Sequence, residues 1–148
     1  MSTKTENKMV NLIMKCTDEI LKGTLLSIDP GSNSMGYAIF KAGELEISGE
    51  LKGTKGSLSH IRLHEITDQL IELDKPDVLA IELINKNKVL IWSAGTAISS
   101  IRSQHMIEVP INLWHELREE DYEKTDALDA ELIGQTVINT ARSLQQWK

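Results

Sequence analysis

Four acidic side chains stand where chemistry could use them. Asp29 closes the apolar run Leu25, Leu26, Ile28 and opens a Pro30-Gly31 turn, while Glu82 breaks the second strongly apolar run, Val78 to Ile84. Asp126 and Asp129 open the last amphipathic segment. Being three apart on a helix, both would project from one side of its first turn. Each acid has a bland explanation. Asp-Pro-Gly is turn chemistry, Glu82 could face a wet sheet edge, and acids at a helix start complement its dipole. Taken together they suggest more. Four ionised carboxylates cannot share a pocket without counter-charge. Divalent cations supply it, and Mg²⁺ favours carboxylates, water and phosphate oxygens. Two such ions about 3.5–4 Å apart would clamp the attacking and leaving oxygens of a phosphodiester displacement.

The elements that must position these acids follow from hydrophobic period. Leu25 to Phe40 reads as strand, tight turn, strand. Glu44 to Leu51 alternates apolar and polar residues, as an edge strand with one wet face does. A helix to about Asp74 follows, with Ser57 or Ser59 as its cap and Lys75-Pro76-Asp77 as its stop. Val78 to Ile84 reads as a central strand, Val89 to Gln104 as a helix of small residues, and Met106 to Leu113 as a last strand tolerating Pro110 at an edge or end. His115 to Lys124 is acidic and loop-like, and Thr125 precedes a helix to about Gln146. Three strands, then helix, strand, helix, strand, helix predict an α/β fold. Its mixed five-stranded sheet has three antiparallel strands, then two parallel ones, with helices on both faces. Ahead of it, Asn7 to Lys22 has a helical period stopped by Gly23. Residues 1–23 are thus expected to be an amphipathic extension covering the sheet or meeting a partner, and 24–148 the main domain.

Composition narrows the class. At 148 residues and 41% hydrophobic, the chain suits one domain, and with 4% aromatics its core must be aliphatic. The single Cys16 excludes an intramolecular disulfide and fits a reducing compartment. No apolar run approaches the roughly 18 residues of a spanning helix. Lys15, Asp18 and Glu19 interrupt any signal-like segment, so a cytoplasmic location is expected.

The motifs IDPGSNSMGYAIF, AIE (Ala80-Ile81-Glu82) and DALDA, in that order, resemble the RuvC-type Holliday-junction resolvases of the RNase H-like superfamily. The resemblance spans about Leu25 to Leu144 and suggests a divergent or phage-type member, which would work in the host cytoplasm. It implies that Asp29, Glu82, Asp126 and Asp129 are the metal-binding catalytic acids of a Mg²⁺-dependent endonuclease using two ions, with Mn²⁺ as a substitute. It also implies branched DNA as substrate and a homodimer that nicks a four-way junction symmetrically, with the small-sided helix at the dimer contact. Two features depart from the family. Asn85 stands where an aromatic wedge is usual, with Trp92 nearby, and a short acidic segment around Glu116 to Glu123 replaces a longer basic one. Within the superfamily, structured RNA is an alternative substrate; a catalytically idle junction-binding protein is an alternative class. A sugar-kinase-like half shares the Asp-Gly strand turn, but 148 residues leave no second lobe.

A net charge of −6, or −2 without the four acids, requires any DNA-facing patch to be local. Lys86 and Lys88, just past the Glu82 strand, are the first candidates for phosphate contact. Lys52 and Lys55, near Arg62, and then Lys124 and Arg118 follow. Each has a solvated-surface explanation. Ser32 and Ser34 could bond phosphate or their own backbone. His60, His64 and Asp68 have zinc-compatible spacing but no further ligand, which favours a polar helix face, and His115 could approach the acids.

Overall fold

Five strands make one sheet in the order β3-β2-β1-β4-β5. They are β1 (Thr24–Asp29), β2 (Ser34–Lys41), β3 (Glu44–Lys52), β4 (Val78–Glu82) and β5 (His105–Val109). The structure is a computed structural model that describes residues 4–30, 34–73, 75–82 and 105–147. Antiparallel pairing joins β1 to β2 and β2 to β3, while β4 runs parallel to both β1 and β5. This is the mixed sheet read from the sequence. Ala42 and Gly43, at φ 52 and 81, turn β2 into β3 through the left-handed backbone region that two-residue hairpins use.

The helices are α1 (Lys4–Lys15), α2 (Thr17–Lys22), α3 (Ser59–Ile71), α4 (Ile111–His115) and α5 (Asp126–Gln145). They cover both faces of the sheet. Ile66 and Leu70 of α3 pack with Leu26, Ile28, Met35, Ile39, Leu51 and Leu79 on one face. The larger cluster on the other face joins Met9, Ile13 and Ile20 of the first two helices to Ile133, Val137 and Ile138 of α5. Leu25, Val78 and Ile107 belong to that cluster too. Strand period assigns the faces. Leu25 sits in the α5 cluster and Leu26 and Ile28 in the α3 cluster, so alternation places Ser27 and Asp29 on the α5 side. By the same count Val78 and Ala80 face α5, and Glu82 follows them.

The structure corrects several boundaries. The first helix is two, broken at Cys16 (φ −131, ψ 30), where the Thr17 hydroxyl donates back to the Ile13 carbonyl at 2.9 Å. Such a back-bond bends a helix. Here the bend lets Ile13 and Ile20 both reach full burial before the chain enters β1. β4 is described as far as Glu82, and the expected continuation to Ile84 lies outside the described residues. The last strand stops at Val109, because Pro110 (φ −61, ψ 139) serves as the N-cap of α4, where its missing N–H costs nothing. Leu58, not a serine, occupies the N-cap of α3, and the Ser57 hydroxyl donates to the Thr54 carbonyl instead. Thr125 caps α5 as expected, accepting from the Leu128 amide at 3.1 Å. The predicted Val89–Gln104 helix lies outside the described residues. Among those described, no helix is long and apolar enough to cross a membrane.

Close approach of α5 to the sheet depends on two glycines. A Cβ on Gly36 would lie 1.8 Å from the Asp126 carbonyl oxygen, and one on Gly134 would lie 2.2 Å from the Phe40 ring. Between them the buried Ser27 hydroxyl donates to the Ala130 carbonyl at 2.6 Å, tying β1 to the helix. Gly36→Ala meets backbone rather than a movable side chain, so the first turn of α5 must lift. Urea denaturation should show a loss of at least about 1–3 kcal/mol. An unchanged midpoint would refute the contact.

Candidate functional site

Asp29 ends β1, and Glu82 follows Ile81 on the adjacent parallel strand β4, whose register pairs Ile28 with Ile81; by strand alternation both side chains face α5. The carboxyl ends of parallel strands are where open α/β sheets place ligands. Directly across from Asp29 in the antiparallel register is Gly36, and against Gly36 lies the backbone of Asp126. The first turn of α5 is thereby set over the same sheet end, with Asp126 and Asp129 on it. Asp29 (9% exposed) and Asp129 (1%) are buried.

The charges interact. Burial, a hydrogen bond with Glu82, and repulsion from Glu82, Asp129 and Asp126, in that order, raise the Asp29 pKa to about 9. One proton held between Asp29 and Glu82 is the chain's own answer to the crowding. The other two acids have partners. The Ser34 hydroxyl donates to Asp126 Oδ2, and the Tyr122 hydroxyl donates to Asp129 Oδ1. Arg118 Nη2 donates to the same Asp129 oxygen at 3.1 Å. All four sequence-predicted acids are thus drawn into one electrostatic group. Among the described residues, however, no three acid, histidine or cysteine side chains are arranged to hold an ion. The donor set fits a hard divalent cation in chemistry: it is all oxygen and over-charged, and a cation would replace the proton on Asp29.

Tyr122 was not foreseen as a site residue, and Arg118 was foreseen only as a weak phosphate contact. The segment from His115 to Lys124, acidic and loop-like in sequence, carries Arg118 and Tyr122 onto Asp129. A signal existed: Trp114, Arg118 and Tyr122 recur every fourth residue. The Arg118 Cζ lies 5.1 Å from the Trp114 ring centroid and 4.8 Å from that of Tyr122, a double cation–π seat. Burial and the bond to Asp129 push the Tyr122 phenol well above its usual range. His115 stacks edge-on to Trp114, with centroids 4.1 Å apart. Burial and Arg118 lower its pKa, while Asp129 and Glu82 pull it upward, so it lies within the field of the site.

The lysines divide. Lys86 and Lys88 lie outside the described residues, as does Ser32. Lys52 ends β3 opposite Ser34 in the register, at the same end of the sheet as the acids, with its amine 3.4 Å from Glu50 and largely exposed. Lys55 and Lys124 are exposed, and Lys124 contributes to lowering the His115 pKa. His64 pairs with Asp68 at 3.7 Å on an exposed helix face.

Comparison of the sequence with protein-family models gives no match, and neither does comparison with curated proteins. Solved structures do match. RuvC of T. thermophilus in complex with Holliday junction substrate superposes with a TM-score of 0.62 at 15% identity, over 81% of this chain and 95% of that one. Another structure of Thermus thermophilus RuvC gives 0.62 at 13% identity, covering 80% and 96%. The fowlpox virus Holliday junction resolvase gives 0.53 at 16% identity, covering 79% and 99%. The chain therefore has the RNase H-like fold of the RuvC-type and poxvirus resolvases.

The raised Asp29 pKa fixes a pH dependence. Folded Asp29 keeps its proton to about pH 9, whereas the ordinary value of 3.8 applies when the chain unfolds. Between these values the folded state binds more protons. The stabilisation is therefore complete below 3.8 and is lost as pH rises through about 9. Without metal, stability should fall across this window by up to about 1.4 kcal/mol per pH unit. Asp29→Asn should flatten the slope and exceed the parent in stability at pH 8. Parallel urea titrations at pH 5, 6.5 and 8 measure this; equal slopes would contradict the assignment.

Proposed function

We propose that this chain is a divalent-cation-dependent nuclease that cleaves phosphodiester bonds in branched DNA, four-way junctions above all. The observation that carries the reading is the convergence of four acids at one sheet end: Asp29 and Glu82 on paired strands, and Asp126 and Asp129 on a helix turn that Gly36 admits against them, on the fold of the RuvC-type structures. Asp29, Glu82, Asp126 and Asp129 would hold the cations, Mg²⁺ or Mn²⁺. Two bound ions would neutralise charge developing on the phosphate and favour hydroxide over water as nucleophile. The chain's own residues prepare the site. Strand register aligns Asp29 with Glu82, Gly36 admits α5, Ser34 orients Asp126, and the fold excludes water from Asp129. Lys52, Lys55 and Lys124 would contact phosphate, with Lys86 and Lys88 beyond the Glu82 strand. The chain would act as a homodimer, because a four-way junction presents two equivalent strands. On this reading residues 24–148 form the nuclease domain and residues 1–23 an addition whose apolar side packs into its core.

Labelled four-way junctions, forks, flaps and a matched structured RNA, incubated in Mg²⁺ and separately in EDTA, test the proposal. Junction cleavage by the parent should fall at least a hundredfold in Asp29→Asn and Asp126→Asn, on the order of the loss when such a metal ligand is removed. Junction binding in EDTA without cutting in Mg²⁺ or Mn²⁺ would instead indicate the idle binding protein, and RNA preferred to DNA would change the substrate. Equal cleavage by parent and variants would end the metal reading.

A further inference from the structure

Arg118 is held in an unusual way. Its side chain is 27% exposed, seated between the Trp114 and Tyr122 rings, and it places one N–H on an Asp129 carboxylate that is 2% exposed. The Tyr122 hydroxyl donates to the same oxygen, Oδ1. The pairing is not the bidentate fork that arginine and carboxylate prefer. Moreover, Arg118 Nε is buried without a hydrogen-bond partner among the described residues. The pairing with Asp129 thus leaves part of the guanidinium without a protein partner among the described residues. The guanidinium gives a single bond to an acid expected to serve another cation.

We propose that Arg118 and Tyr122 form an internal latch: they occupy Asp129 while the site is empty of metal, and a divalent cation must displace them to use that carboxylate. The inference rests on Asp129 being a metal ligand. Latch and ion compete for one oxygen, so each lowers the other's hold on it. The seat on Trp114 lies outside this competition, so Arg118 can leave Asp129 without leaving its ring. The latch also ties the segment after α4 to the first turn of α5. Metal binding should loosen that segment at the same moment as it completes the site.

The test reads metal affinity and stability without DNA or turnover. Mn²⁺ binding is followed by the EPR signal of the free ion at fixed pH, for the parent, Tyr122→Phe, Arg118→Gln and Asp129→Asn, and each is melted with and without saturating Mn²⁺. Tyr122→Phe changes no charge, so it separates a latch from a mere field effect. It should tighten Mn²⁺ binding by roughly threefold to tenfold, and Arg118→Gln by more. Both variants should melt below the parent without metal and at about its temperature when saturated, because the latch is already open there. Unchanged or weaker Mn²⁺ binding in Tyr122→Phe, or a melting deficit that persists at saturation, would overturn the latch. Asp129→Asn distinguishes the two levels of failure. If it binds Mn²⁺ as well as the parent, the ligand reading itself is wrong; if it loses Mn²⁺ while Tyr122→Phe gains nothing, only the latch is wrong.

Discussion

The structure depends on one close approach, that of the first turn of α5 to the sheet at Gly36. Every other feature of the site presupposes it. Without side-chain volume at Gly36 and Gly134, the helix backbone comes within reach of β1 and β2, and the Ser27 hydroxyl can bond directly to a helical carbonyl. Only at that distance do Asp126 and Asp129 enter the field of Asp29. The approach has an electrostatic consequence: it brings four carboxylates to one end of a buried sheet, where repulsion is poorly screened. The fold stabilises this crowding by three separate devices. Burial and the neighbouring acids raise the Asp29 pKa and favour its neutral form, a serine hydroxyl bonds Asp126, and an arginine with a tyrosine bonds Asp129.

These devices explain why the acids form an electrostatic group without forming a coordination shell. A proton, a hydroxyl and a guanidinium are each weaker and more directional than a divalent ion. They draw the carboxylates toward separate partners rather than toward a common centre. The same acids that would ring a cation are therefore distributed among local bonds when none is present, as the described residues have them.

Much of this was legible in the sequence, for a physical reason. The apolar runs Leu25 to Ile28 and Val78 to Ile81 mark two strands buried on both faces and put Asp29 and Glu82 at the end of each run. The face of each acid follows only from the observed register and clusters. Element order fixed the topology, since a strand reached through a helix runs parallel to its neighbour. What escaped was set by longer-range packing. The split at Cys16 answers to where Ile13 and Ile20 must bury, and Pro110 became a cap because α4 begins at once. The role of Arg118 and Tyr122 was hidden because Glu116, Glu119, Glu120, Asp121 and Glu123 dominate that stretch. Composition averages over a segment, whereas the site uses one side of it.

The acidic balance bears on the order of events. A chain at −6 repels a polyanion at long range, and the four site acids add to that repulsion where a phosphate would come. Two divalent cations would bring the formal charge to −2 and cancel the charge of the four site acids. The exposed Lys52, Lys55 and Lys124 can then act locally, since at physiological salt charges separated by more than about 8 Å are largely screened. On the proposed reading, DNA binding would be coupled to metal binding by electrostatics alone, before any contact between ion and phosphate is counted. A basic resolvase can hold its junction first and wait for the ion. On the proposed reading the ion would come first, and Arg118, already seated on Asp129, is the charge it would replace.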